Sequence, residues 1–302
     1  MSNYINNLIQ KKRREFNALC REKTIPPGAL EDVVEYRDIP YHVDNNPRHK
    51  MDIFRPAFVP GPLPVVINVH GGGLIMGNKE FNRHFCALLC GQGFLVCSME
   101  YRLVPEVTVF RQLEDVYAAM DFLDVTVGQY GGQPGSVYMV GDSAGAFLIL
   151  YASALQCDPK FASAASIQPS MLPIDKIALI SGMFYTAGMD SIGLLLSDSF
   201  YGKGYRKSSF YPYLDPGAME VCNAVAPAML ITSDQDNLKR HTMRLSRALD
   251  RHHIPHCLRD YGGNPSLTHA FPVFSPELAQ SRQAITEIAA FFRGEYDLLL
   301  EG

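Results

Sequence analysis

From about residue 64 onward, short β-rich apolar runs alternate with longer segments of helical character. The runs are Val65–Val69, Leu95–Met99, Val137–Val140, Ile177–Ile180 and Met229–Thr232, each bounded by glycine, proline or polar residues. Helical stretches near Glu80–Leu89, Arg111–Val127, Ala144–Gln156 and Leu238–Asp250 fill the intervals. The runs are apolar at odd and even positions alike, so both faces of each strand need cover. Strands of a parallel sheet with helices on either side have that requirement. Upstream, Val33–Ile39 and Met51–Phe54 alternate as an antiparallel edge would. The pattern predicts an α/β chain with a mostly parallel, doubly wound sheet.

Two segments break the alternation. Residues 1–32 read as an amphipathic helix, with Leu8, Ile9, Phe16 and Leu19 on one face and Lys11-Lys12-Arg13-Arg14 on the wet side, ending at Thr24-Ile25-Pro26-Pro27-Gly28. Residues 183–225 carry Phe184, Tyr185, Phe200, Tyr201, Tyr205, Phe210, Tyr211 and Tyr213 among many glycines. This insertion can simply pack on the core. It also follows a strand on the side where open α/β sheets form their sites, so it can join residues 1–32 in capping a pocket. The chain is read as a single domain over residues 1–302, with 1–32 and 183–225 as its cap segments.

Composition removes several classes of function. Net charge is −4 and the sequence pI about 6.1, which leaves no basic surplus to neutralise nucleic-acid phosphates. The most apolar region, Val137 to Ala154, is interrupted by Asp142 and Ser143, so no membrane span is expected. The N-terminus lacks the apolar centre of a signal peptide, and seven cysteines is an odd number. Both point to reduced thiols in a cytoplasmic protein. No CxxC pair or Cys/His cluster has zinc-ligand spacing, and no metal or organic cofactor is expected. A small-molecule substrate is the expected partner, and a homodimer is compatible with the sequence.

The chemistry begins where Val137-Tyr138-Met139-Val140 runs into Gly141-Asp142-Ser143-Ala144-Gly145 and a helical stretch follows at once. A G-x-S-x-G between strand and helix lifts the serine hydroxyl clear of the sheet on a tight, strained turn. Gly141 and Gly145 let strand and helix approach each other. The second feature, His70-Gly71-Gly72-Gly73, ends the strand Pro64–Val69. Backbone N–H groups unobstructed by side chains can converge there on one oxygen, as an oxyanion hole requires. A phosphate loop is disfavoured, since neither Gly-Lys-Ser/Thr nor G-x-G-x-x-G fits. His70 is expected to brace this turn.

A serine hydroxyl needs a base, and the base an orienting acid. His269 sits in Tyr261-Gly262-Gly263-Asn264-Pro265-Ser266-Leu267-Thr268-His269-Ala270-Phe271, between a strand and the last helix. His252, His253 and His256 read as an exposed polar turn, His84 and His241 as helical, and His42 and His49 as preceding the sheet proper. After the strand Ala228–Thr232 comes Ser233-Asp234-Gln235-Asp236-Asn237-Leu238. Either carboxylate could serve; Asp236 is preferred, with Asp234 as the surface-turn alternative. Ser143, Asp236, His269 is the chain order of α/β-hydrolases.

With these motifs the sequence resembles the hormone-sensitive lipase family of α/β-hydrolase esterases, bacterial lipase family IV. Besides the two glycine motifs, Tyr101-Arg102-Leu103-Val104-Pro105-Glu106 with Glu114-Asp115 matches the family's Tyr-Arg-Leu-Ala-Pro-Glu and Glu-Asp segment. Asp236-Asn237-Leu238 stands for Asp-Pro-Leu and His269-Ala270-Phe271 for His-Gly-Phe. The likeness covers about residues 50–293. It implies that Gly72, Gly73 and Ala144 supply the oxyanion N–H groups, that the N-terminal helices form a cap, and that the chain is a serine carboxylesterase for short-chain acyl esters. Amide hydrolysis or deacetylation of a sugar or xenobiotic would use the same triad. A hormone-binding receptor on this scaffold would lack the catalytic histidine, which is present here. The departures are Asn237, Ala270, Leu74 where an aromatic is common, and a longer Asn264–Thr268 loop. Arg102, Glu106 and Asp142 are expected to hold loops rather than act on substrate.

Overall fold

A computed structural model describes residues 3–22, 25–26, 28–188 and 191–295. Thr24 and Pro27 of the expected helix stop, and parts of both cap segments, lie outside the described residues. The expected strands form one eight-stranded sheet. Its members are β1 (Val33–Pro40), β2 (Lys50–Pro56), β3 (Leu63–Val69), β4 (Leu95–Met99), β5 (Gly132–Asp142), β6 (Ile174–Ile180), β7 (Ala228–Ser233) and β8 (His256–Tyr261), in the order β1-β2-β4-β3-β5-β6-β7-β8. β1 with β2 and β2 with β4 pair antiparallel, and all other neighbours are parallel. This is the mixed sheet that the upstream alternation predicts, with the antiparallel pair at one edge.

The helices are α1 (Asn3–Glu22), α2 (Arg83–Cys90), α3 (Val109–Thr126), α4 (Ala144–Cys157), α5 (Pro159–Ala165), α6 (Ser191–Tyr201), α7 (Met219–Cys222), α8 (Lys239–Arg251), α9 (Phe271–Phe274) and α10 (Ala279–Arg293). They divide the core in two. One layer joins α3 and α4 to the inward residues of β3 and β5. The other joins α2 and α10 to the opposite face through Val66, Val140, Ala178 and Ile231. Alternate residues of one strand thus serve opposite layers, the physical reason the runs are apolar throughout.

Three details differ from the sequence reading. His256 opens β8 in register with Ala228 and contacts Ser246 and Ile254, so it is not part of an exposed turn. Its short strand carries Arg and Asp, which hide its β character. The short helix α5 sits behind Pro159, with Asp158 capping it through the N–H groups of Lys160 and Phe161. In α1, Arg13 leaves the wet side. Its guanidinium spans Glu106 (both contacts 2.7 Å), Ile75 O (2.6 Å) and Val104 O (2.9 Å). Ile9 is buried, and Phe16 meets Phe81 with ring centroids 4.9 Å apart, while Leu8 and Leu19 are exposed. A helix docks on this surface through one arginine fork and two apolar residues, a pattern that four consecutive basic residues conceal.

The aromatic insertion packs on the α3–α4–α5 surface. Phe210 lies edge-on to Phe110 at 4.9 Å, and Tyr213 stacks on Phe161 at 4.3 Å. Phe200, Tyr201 and Tyr205 are buried with them.

One close approach holds β3, β5 and α4 together. A Cβ on Gly145 would lie 1.9 Å from the Val69 carbonyl oxygen. Gly145→Ala is expected to destabilise the chain by about 3 kcal/mol, since no side-chain rotation relieves a backbone clash. Gly128→Ala, with open space around the added carbon, is expected to stay within about 1 kcal/mol of wild type. Urea denaturation of both variants checks the contrast.

Candidate active site

Ser143 occupies the corner between β5 and α4 with φ 52° and ψ −111°. A serine seldom adopts this left-handed backbone, and it persists only where its surroundings hold it. The Ser143 N–H donates to Ile180 O at 2.8 Å, and the Met183 N–H donates to Ser143 O at 3.0 Å. Both ends of the residue are thereby tied to β6 and the chain beyond it. Ala144 begins α4, so its N–H is one of the groups a helix start leaves unpaired, on the positive end of the helix dipole.

The glycine turn follows β3 on the same edge of the sheet. Gly71 N–H donates to Asp142 Oδ1 at 3.0 Å, and the Asn82 side-chain amide donates to the same oxygen at 2.8 Å. Asp142 therefore points away from Ser143 and latches the turn to the elbow. Gly72 has φ 120°, and a Cβ there would lie 2.2 Å from Met76 O. Its carbonyl accepts from Ile75 and Met76 N–H, closing the turn. Among the described residues, nothing accepts from the N–H groups of Gly72, Gly73 or Ala144. The turn spends its first N–H on Asp142 and keeps the next two.

His70 is buried, stacks on Tyr101 (centroids 4.3 Å apart), and its Nδ1 lies 2.7 Å from Gly71 O. Tyr101 donates its hydroxyl to His70 O at 2.8 Å. Several residues that sequence reasoning passed over complete this bracing. Gln112 donates to Leu74 O (2.9 Å) and Arg102 O (2.8 Å). Buried Lys79 pairs with Asp52, and its N–H donates to Glu100. Burial alone would drive its ammonium down, but the carboxylates of Asp52 and Glu80 outweigh that and raise it. Polar residues in a loop and on a helix carry no spacing signature, so a sequence offers nothing to single them out. Arg102 forks onto Asp115, and Glu106 onto Arg13, as loop-holding charges.

Asp236 and His269 meet on the loops after β7 and β8. His269 Nδ1 lies 2.8 Å from Asp236 Oδ1, which leaves the opposite ring nitrogen, Nε2, for other work. Asp236 is buried and also accepts from Leu238 N–H (2.9 Å, Oδ1) and from the Thr232 hydroxyl (2.9 Å, Oδ2). Burial pushes its carboxyl up, but the hydrogen bonds and charge of His269 and the Leu238 N–H outweigh it. The group lies below the ordinary Asp value. Asp234 faces outward and pairs with Lys239 at 2.8 Å. The longer loop before His269 is pinned on both sides. Ser233 donates to Leu267 O (2.5 Å), and Ala270 N–H donates to the Ser181 hydroxyl (3.0 Å). Ala270 itself has φ 51°, at the position where the family pattern carries glycine.

Two cavities accompany this arrangement. One of about 610 Å³ lies by Leu155, Gln156 and Met171, at the far end of α4, about 20 Å along the helix from Ser143. The other, about 350 Å³, is lined by Tyr185, Tyr211, Leu214, Asp215 and Arg244, where the insertion meets α8.

The sheet order, the serine elbow and the flanking loops define an α/β-hydrolase. Comparison with known proteins agrees: a BD-FAE family model matches residues 51–184. Carboxylic ester hydrolase LipN of Mycobacterium tuberculosis is 30% identical over 70% of this chain and 58% of its own length. A probable isoprenylcysteine alpha-carbonyl methylesterase of Oryza sativa is 29% identical over 57% of this chain and 39% of its own length. The chain spans about half, or less, of the length of the first curated relatives it matches. Esterase B of Lactobacillus Rhamnosis superposes with a TM-score of 0.88 at 22% identity, covering 96% of this chain and 95% of its own. Brefeldin A esterase, a bacterial homologue of human hormone sensitive lipase, gives 0.73 at 19% identity over 95% and 84% of the two chains. The chain thus has the α/β-hydrolase fold and is similar in sequence and structure to these esterases.

The depressed Asp236 carboxyl has a consequence for stability. A carboxyl whose folded value lies below its unfolded value of about 3.9 stabilises the fold above that pH, and the contribution is lost as pH falls through the folded value. The stability difference between wild type and Asp236→Asn is expected to shrink as pH is lowered from about 6 to about 3, measured by urea denaturation. Asp142→Ala strands two buried donors, Gly71 N–H and the Asn82 amide, and is expected to cost about 1–3 kcal/mol by the same measurement.

Proposed function

We propose that the chain is a carboxylic ester hydrolase that works through an acyl-enzyme on Ser143. The observation that carries this reading is the Asp236–His269 hydrogen bond, made on the same sheet edge that presents the strained Ser143. His269 Nε2 removes the Ser143 proton as Oγ attacks the ester carbonyl carbon. Asp236 holds the proton on Nδ1 and stabilises the imidazolium that forms. The carbonyl oxygen becomes an oxyanion and takes hydrogen bonds from the N–H groups of Gly72, Gly73 and Ala144, which nothing else among the described residues engages. The imidazolium then protonates the leaving alcohol as the carbon–oxygen bond breaks. A water, deprotonated by the same nitrogen, hydrolyses the acyl-Ser143 ester and returns the acid and the free serine.

The substrates proposed are esters of short acyl chains. The LipN relative is a carboxylic ester hydrolase, and a C4-C4 tributyrin phosphonate inhibits the Lactobacillus esterase. Residues 1–32 and 183–225 are proposed to cap the substrate cleft. The chain of ring contacts from Phe16 through Phe81 to Phe274, and on to His269 at 6.3 Å, supports that role for α1. Among the described residues no helix is long and apolar enough to cross a membrane. The six described cysteines are free thiols, which favours a reducing compartment as the working location.

Hydrolysis of p-nitrophenyl esters from acetyl to palmitoyl is expected to peak at short chains. Ser143→Ala should lower kcat by on the order of 10⁶ and Asp236→Asn by about 10⁴, because the asparagine imposes the wrong imidazole tautomer. Near-normal hydrolysis by Ser143→Ala would overturn the reading. Faster turnover of a matched anilide than of its ester would move the activity to amides.

A further inference from the structure

The loop between β1 and β2 gathers His42, Asp44 and His49 away from the proposed ester site. His49 is buried, while His42 and Asp44 are 44% and 40% exposed at their side chains. His49 Nε2 lies 3.1 Å from Asp115 Oδ1. Arg102 forks onto that same carboxylate. With Nε2 turned to Asp115, Nδ1 is the ring nitrogen left for the loop, and it lies 2.9 Å from Asp44 Oδ1. His42 Nδ1 lies 3.2 Å from the same oxygen, and the Asp44 N–H points to that nitrogen at 3.3 Å, a long contact that a bound cation would replace. Two imidazole nitrogens and a carboxylate oxygen thus converge, all within 4.8 Å of one another.

Two imidazole nitrogens this close to one carboxylate oxygen need a positive charge among them. The ion pairs of Asp44 among the described residues are with these two histidines and with no lysine or arginine. The charge must therefore be a proton on an imidazole or a bound cation. Two features favour a cation. The Asp115 carboxylate behind His49 sets the tautomer and aims Nδ1, as partners of metal-binding histidines do. Asp44 is likewise aimed by the Asn46 N–H, which donates to its Oδ1 at 3.1 Å. Neighbouring ligand atoms around a tetrahedral zinc are about 3.3 Å apart. The separations of 2.9 and 3.2 Å need only small adjustments to match.

We propose that His42 Nδ1, Asp44 Oδ1 and His49 Nδ1 bind a divalent transition-metal ion of the zinc class, with a fourth position open to solvent. Two imidazoles and one carboxylate suit that class better than calcium or magnesium, which prefer all-oxygen sets. The three ligands are close in sequence, but one is an aspartate, which a search for Cys/His spacing passes over, and the carboxylate that aims His49 lies 66 residues further on. Through Asp115 and Arg102 the ion would clamp this loop to α3 and to the chain behind the glycine turn.

Calorimetric titration of the full chain with zinc sulfate tests the site. One saturable equivalent per chain is expected, with affinity falling at least about tenfold in His42→Ala. That exposed residue lies outside the proposed ester machinery, so the variant should keep wild-type hydrolysis. His253→Ala controls for the other histidine cluster and should bind zinc as wild type does. Cobalt(II) loaded in place of zinc should give tetrahedral visible absorption that His42→Ala loses. No saturable binding in the wild type would overturn the proposal and leave a protonated imidazole between the carboxylates. Unchanged binding in His42→Ala would overturn it as well.

Discussion

Everything at the proposed active edge depends on how closely the start of α4 approaches the end of β3. The helix comes so near that the Val69 carbonyl fills the space a side chain at position 145 would need. That contact brings the N-terminus of α4 beside the glycine turn, so that N–H groups from two separate segments face one region. It also forces the chain to reverse at Ser143, whose left-handed backbone is the geometric result. A turn with that strain opens unless its neighbours hold it. Here two backbone hydrogen bonds to Ile180 and Met183 do so, and the sheet register between β5 and β6 sets their position.

Around this contact lies a set of buried polar residues whose shared task is to stop a glycine-rich loop from moving. A run of glycines has high conformational entropy in the unfolded chain, and ordering it costs more than ordering any other sequence. Asp142, Gln112, Tyr101 and Glu100 offset that cost by giving backbone groups partners in a region shielded from water, and Asn82 holds Asp142 in place. Their neighbours Asp115 and Glu106 extend the bracing outward, to the β1–β2 loop through His49 and to α1 through Arg13. The N-terminal helix and the proposed cation cluster are attached to the same framework. A short chain of hydrogen bonds connects each of them to the glycine turn.

The legibility of these parts from sequence follows their physics. The five central strands and the helices α2, α3, α4 and α8 show in the apolar periodicity because burial imposes it. β8 is masked because an edge strand tolerates Arg259 and Asp260 in place of apolar residues. The elbow and the glycine turn are legible as motifs, since close backbone approach admits only glycine at certain positions. Arg13 was hidden among four basic residues. Nothing local distinguishes the one whose angle around the helix points it at Glu106 from the three that face water.

By itself the sequence determined the layering of the fold, the location of the serine elbow, and the candidates that follow it in the chain, two aspartates after one strand and His269 before the last helix. Each of these rests on local residue chemistry: apolar faces, glycine's missing side chain, and the few groups able to activate a hydroxyl. Only the tertiary structure shows which of Asp236 and Asp234 meets His269. Both end the same strand within three residues, and their difference lies in direction, one turned inward to His269 and the other outward to Lys239. The tertiary structure likewise decided which N–H groups of the glycine turn stay unpaired, and which histidines share a carboxylate. Such facts depend on where segments far apart in the chain come to lie, and residue types at fixed spacing carry no record of that.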